Sequence, residues 1–297
     1  MAALRSSGTW GSALTADEFA AIRSVGFDPV GQVFGAAVYD AGASAYGCPG
    51  APASPALPAL PASPGDGSPP RVATEVSGGG GAASFGPLVQ AMGQARHTAV
   101  DRMITECAQL GGHGVVGVHV SRGAFLGGTQ FTVIGTAVRA PGAEHGQSAP
   151  FTSDLSGQDF AKLIAAGWVP VGLALGISIG SRHDDRSTNR QARWISGNAE
   201  VAGWTELVNQ VRQDARRQLE RDVGRLGAEG VVIAAMPMRV RQRDCPAAVG
   251  RRDHIVEASL IGTAVAGFPR AEPRADGPPL AIMSLDPHRR QAARIRL

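Results

Sequence analysis

Apolar residues along this chain recur at two spacings, and the alternation between them predicts the elements. Leu88, Met92, Ala95, Ala99, Met103 and Leu110 lie three, four and seven apart, which places them on one face of a long helix. Val208, Val211, Ala215, Leu219 and Leu226 form a second such stripe, and Arg212, Arg216, Arg217, Arg221 and Arg225 fall mostly outside it. Short apolar runs bounded by glycine and proline predict strands over 30–39, 114–120, 130–138, 171–179, 230–236 and 255–265. Each half of the chain therefore reads short helix, strand, long helix, strand, strand. The last two strands suit a hairpin, giving an α+β fold with an antiparallel sheet packed on the long helix.

The chain also repeats itself. Leu14-Thr-Ala-Asp-Glu-Phe19 aligns with Leu155-Ser-Gly-Gln-Asp-Phe160, and Gly26-Phe-Asp-Pro-Val-Gly31 with Gly167-Trp-Val-Pro-Val-Gly172. Leu110-Gly-Gly-His-Gly-Val-Val116 matches Leu226-Gly-Ala-Glu-Gly-Val-Val232, and Ile134-Gly-Thr-Ala-Val138 matches Ile261-Gly-Thr-Ala-Val265. Four blocks in one order point to a tandem duplication, with units at 12–141 and 152–268 and a loose basic tail at 269–297. Thr15 with Glu18 spells a capping box, and Leu14 with Phe19 its hydrophobic staple; Ser156, Asp159, Leu155 and Phe160 repeat the grammar. Gly26 and Gly167 are placed to end those short helices, and Pro29 and Pro170 keep them from continuing.

Between 41 and 84 the pattern lapses. Proline recurs every third residue at 49, 52, 55, 58, 61 and 64, a period that suits a polyproline II rod, so this stretch reads as a disordered insertion in the first unit. Of the whole chain 43% is hydrophobic and 18% charged, which suits folded domains. Residues 1–150 hold 7 Arg against 9 acids, a net −2; residues 151–297 hold 20 Arg and one Lys against 16 acids, a net +5. That excludes a uniformly basic nucleic-acid coat. Three cysteines with no C-x-x-C exclude a disulfide framework and suit a reducing cytoplasm. The 19 uncharged residues between Lys162 and Arg182 approach the length of a membrane span. Pro170 and four glycines inside the run favour a helix end, a turn and one buried strand instead.

The pairing of Ala95-Arg96 near a helix start with Leu-Gly-x-x-Gly-Val-Val and a closing Gly-Thr-Ala-Val strand resembles the YbjQ-like family, which carries a heavy-metal-binding label. Both units look like members in the tandem, actinobacterial-style arrangement, although the second has Val211-Arg212 where the first has Ala95-Arg96. The resemblance implies a small dodecin-like α+β fold and self-assembly, since single-unit relatives form cyclic pentamers. Whole chains of two units cannot fill a ring of five, so either five chains supply ten units or the symmetry differs. The family carries no established activity, and no cofactor follows from it.

Candidate chemistry is sparse. His183-Asp184-Asp185 is the best local metal candidate, and the seven histidines and three cysteines show no ligand spacing. His113 and His119 flank a strand, but their counterparts Glu229 and Ala235 cannot repeat a histidine site. Gly176-Ile-Ser-Ile-Gly180 matches the hydrolase elbow, with Ser178, Asp184 or Asp185, and His254 in hydrolase order, but an Arg-rich loop follows where a helix is needed. Arg239, Arg241, Arg243, Arg251 and Arg252 could meet a polyanion such as nucleic acid, against interleaved acids and no aromatic stacking set. Glu106 lies about 20° from the apolar stripe of its helix. Asp222 repeats the position in the second unit. A carboxylate on an apolar face is costly unless paired, so both are candidates for a ligand pocket or subunit seam, or for a local hydrogen bond. The expectation is a cytoplasmic, non-catalytic, self-assembling protein that binds a small ligand or metal ion.

Overall fold

The computed structural model describes residues 11–40, 75–77, 85–125, 128–142, 149–192, 197–244 and 252–268. The proline-rich period and the basic tail lie outside them, as does Arg251. In chain order the elements are α1 Ala16–Ser24, β1 Asp28–Tyr39, β2 Glu75–Val76, α2 Gly86–Gln109, β3 Gly114–Phe125, β4 Gly128–Arg139 and β5 Phe151–Thr152. They continue with α3 Gly157–Ala165, β6 Trp168–His183, α4 Arg186–Gln191, α5 Ala202–Arg225, β7 Gly230–Ala235, β8 Met238–Asp244 and β9 Arg252–Gly267. This is an α+β fold.

The two halves share one arrangement of a short helix, a first strand, a long helix and a hairpin. The first sheet runs β1-β4-β3-β5, and the second runs β2-β6-β9-β7 with β8 also on β9. Within both, an antiparallel three-strand core has the hairpin's second strand at its centre. Both first strands slip register at the same place, between Pro29 and Gly31 and between Pro170 and Gly172. The short helices start on Thr15, whose capping box with Glu18 is complete, and on Ser156, whose hydroxyl accepts from the Asp159 N–H. Asp159 is a methylene shorter than Glu18, and its carboxylate accepts from the Ser156 hydroxyl instead. Gly26 and Gly167 end these helices at φ 85° and 87°, a conformation that costs other residues. Gly35 and Gly176 let the long helices lie directly on the first strands: a Cβ would run into the carbonyl oxygen of Ala99 or Ala215.

The halves stack in layers. β6 alternates between two helices. Ala174 joins the core beneath α5, where the Ser178 hydroxyl also donates to Asp214, whereas Leu173, Ile177 and Ile179 join the core of α2 and the first sheet. Helix α2 is thus covered on both sides, by its own sheet and by the outer face of the second sheet. Across that seam Arg122 makes a two-pronged pair with Glu257, at 2.7 and 3.0 Å. A smaller core joins α1 and α3 to Val116 and Val138.

Four features differ from the sequence expectation. Glu75–Val76, inside the 41–84 stretch, pairs with Ser181 and Gly180 of β6. The stretch 239–244, outside the strands expected from the sequence, belongs to strand β8 on β9; its period-two alternation is hidden by arginines at every second position. β7 and β8 together occupy the course that β3 runs unbroken, and the interruption falls at Pro237, which has no N–H for a ladder. Asp185 caps a short helix, α4. The uncharged run of residues 163–181 forms the end of α3, a turn and most of β6. Among the described residues no helix is long and apolar enough to cross a membrane.

Candidate functional site at the seam between the halves

The seam opens into a cleft of about 690 Å³ between α2, β6 and the C-terminal half of α5, bordered by His97, Gln94, Gln218, Arg221, Arg225 and Leu175. Asp222 stands beside it. Strand β6 is an edge strand along this stretch, so alternate N–H groups point away from β9 and need acceptors. Asp222 is buried and accepts from the Leu175 N–H at 2.9 Å, while Arg225 and, at 3.9 Å, His97 hold its other oxygen. Along the same edge Thr152 accepts from the Leu173 N–H and Ser77 from the Ile179 N–H. Glu106 does the corresponding work on β1, accepting from the Phe34 N–H at 2.7 Å, and Arg102 donates to the Ala36 carbonyl. The two helix carboxylates therefore cap equivalent N–H groups, Leu175 on β6 and Phe34 on β1. Asp222 lies at the seam inside the chain; Glu106 lies where the first half is open.

Arg96 lies at the back of the cleft. Its Nη2 donates to Ser259 at 2.6 Å and its guanidinium stacks 4.8 Å from the centre of the Phe131 ring, whereas Nε and Nη1 are buried with no hydrogen-bond partner among the described residues. Burial pushes its pKa down to about 10, opposed by the charge of Glu257. From the sequence Arg96 enters only through the Ala95-Arg96 motif, because the second layer that buries it is contributed by the other half.

The remaining candidates disperse. His183 pairs with Asp253 at 2.5 Å, Asp184 with His254 at 3.0 Å and with the Trp204 indole N–H, and Asp185 caps α4. Three consecutive side chains thus turn to three different partners. Among the described residues no three His, Cys, Asp or Glu side chains are grouped to hold a metal. Cys107 donates to the Gly114 carbonyl, and burial raises its thiol to about 11, which disfavours the thiolate a metal requires. These donors do not fit a heavy-metal centre.

The Asp184–His254 half of a hydrolase triad does form, but Ser178 belongs elsewhere. It sits in mid-strand, fully buried, donating to Asp214 at 2.7 Å and bonded to the Ser77 hydroxyl at 2.9 Å. Four strand positions, about 13 Å, separate it from the residue paired with His254. No turn exposes it. Of the arginine set, Arg239 and Arg241 are exposed on β8 beside Arg122, Arg243 donates to Asp253, and Arg252 borders a separate hollow next to His254. They do not converge on one surface track.

Comparison with known proteins supplies the family. Residues 77–141 match the YbjQ family, described as "Putative heavy-metal-binding", and the match stops short of the second half. The encapsulin nanocompartment protein Rv1762c of Mycobacterium tuberculosis is 30% identical over 230 residues, 74% of this chain and 75% of the relative. The chain belongs to the family of that mycobacterial protein. No solved structure gives a significant match. Membership in this family extends over both halves and so reaches further than the YbjQ match, which covers α2 and the β3–β4 hairpin.

Proposed function

We propose that the protein is a non-catalytic assembly module that joins copies of itself and acts in the setting of an encapsulin nanocompartment. One observation carries the reading. Leu175 and Ile179 on the outer face of β6 are 9% and 5% exposed under α2, while their counterparts on β1, Phe34 and Val38, are 48% and 52% exposed. The same face is thus closed in one half and open in the other, and apolar surface of this kind favours a partner. The name of the mycobacterial relative supports the nanocompartment setting. The free, buried Cys107 suits a reducing cytoplasm. Native mass spectrometry and sedimentation velocity of the full chain test the assembly claim: a discrete oligomer at micromolar concentration is expected, and a monomer throughout refutes it. Co-elution of the chain with the encapsulin shell from cell extract, against extract lacking the shell, tests the setting.

Arg96 supports a second reading, that the seam cleft takes a small anion rather than a metal. Two of its buried nitrogens lack partners among the described residues, and Arg221 and Arg225 border the same cleft. Calorimetric titration with inorganic phosphate and with malonate should show binding that Arg96→Met removes; absence of heat for both anions refutes it.

A further inference from the structure

We infer that copies of this chain join head to tail by strand addition, the segment 11–14 of one copy lying along the β7 edge of the next. The inference rests on the assembly reading above and specifies its seam. The pattern is already present inside the chain. The segment entering the second half, 151–155, lies on the outer edge of β3: Phe151 and Thr152 pair in parallel with Gly114 and Val115. The Ser153 N–H donates to the Val115 carbonyl, and the Val118 and Gly117 N–H groups donate to the Ser153 and Leu155 carbonyls, at 2.9–3.1 Å. The ring of Phe151 covers Gly114 so closely that a Cβ there has no room.

Both partners of this junction exist a second time, each without its mate among the described residues. The segment 11–14 is held on the first sheet in the pose of 152–155 on the second. Ser12 bonds Thr136 at 3.2 Å as Ser153 bonds Thr263 at 3.1 Å, and the Ala13 and Asp154 N–H groups donate to those same threonines. The Leu14 and Leu155 N–H groups then close on Ser12 and Ser153. Along the other side, β7 ends its sheet, with Val232 and Ile233 exposed at the positions of Val116 and Gly117. Gly230 occupies the place of Gly114 but has open space above it, where a Cβ would meet only Val265 at 3.7 Å.

The neighbouring contacts are matched in size. Glu18 of α1 accepts from the Gly157 N–H at 3.2 Å, with no room for a Cβ on Gly157. At the junction between copies the corresponding pair is Asp159 with Ala16, so the acid is one carbon shorter and its partner one carbon larger. Likewise Arg96 on Ser259 corresponds to Arg212 on Thr132, and the exposed Phe34 takes the place of Leu175. The two surfaces are different patches of one chain, so the contact is heterologous: it closes a ring or propagates, and an exposed strand edge is the template for it.

Complementation between variants of the full chain provides the test. Val232→Glu disables the β7 edge, and Phe34→Glu disables the opposite surface. Ile233→Glu serves as a second lesion on the β7 edge, and circular dichroism checks that each variant is folded. Native mass spectrometry should show loss of the wild-type oligomer for Val232→Glu, Ile233→Glu and Phe34→Glu. Mixed one to one, Val232→Glu and Phe34→Glu chains retain one intact pair of surfaces between them and should give a 1:1 heterodimer and nothing larger. Wild-type oligomers that persist in the folded seam variants, or a mixture that stays monomeric, overturn the head-to-tail junction and leave self-assembly standing. A wild-type chain that is itself monomeric removes both.

Discussion

At the scale of single residues, the two helix carboxylates show how one sequence position carries different weights in different surroundings. Asp222 is buried and accepts from a buried N–H, whereas Glu106 makes the same bond half-exposed at an open edge. Removing an acceptor from a buried donor costs about 1–3 kcal/mol, and water offsets most of that loss where it can reach. Asp222→Ala should therefore destabilise the protein by about 2 kcal/mol and Glu106→Ala by less than about 1 kcal/mol in urea unfolding at neutral pH. Equal losses would contradict the difference in burial. Glu18 has a different signature. The N–H of Thr15 holds its carboxyl below the usual glutamate value of 4.5, so the folded state favours the ionised form. Its contribution is complete above that value and is lost as pH falls through the lower, folded value. The stability difference between wild type and Glu18→Gln should accordingly shrink as pH is taken from 6 towards 3.

At the scale of elements, the close approach of each long helix to its first strand rests on a glycine without a side chain. Gly176→Ala drives a methyl into the Ala215 carbonyl at the centre of the second core. Overpacking of this kind costs about 1–3 kcal/mol or more, and the mutant should melt well below wild type while Gly224→Ala, with open space around it, melts near it. These elements were legible because their signals are local: caps at Thr15 and Ser156, a 3.6-residue stripe, and paired blocks of equal length. β8 was not, since strand alternation in which the polar partner is always arginine looks like a charged loop. Glu75–Val76 and Asp185–Gln191 were missed for a related reason, being too short to show any period. The site was half legible. A carboxylate on an apolar stripe marks Asp222 and Glu106 correctly as unusual, but the N–H that each one caps belongs to a strand edge, which only the sheet order reveals. The same holds for Arg96, whose isolation is made by a layer 160 residues further along the chain.

At the scale of the whole molecule, the order of layers makes each half depend on the other. The outer face of β6 presents Leu173, Leu175, Ile177 and Ile179, all buried beneath the first half. Taking roughly 1.5–3 kcal/mol for burying each aliphatic side chain, that face alone contributes about 6–12 kcal/mol. This is comparable to the whole stability of an ordinary domain, about 5–15 kcal/mol. The second half, though it has its own helix and its own core under α5, cannot expose that face and remain firmly folded as a monomer. Residues 149–268 expressed alone should bind a hydrophobic dye and melt broadly, or aggregate, whereas the full chain should unfold in a single transition. A fragment that melts as sharply and at the same temperature as the full chain would mean that α2 merely rests on β6. The halves would then be two independent copies on one chain, joined by polar contacts such as Arg122 with Glu257 and Arg96 with Ser259.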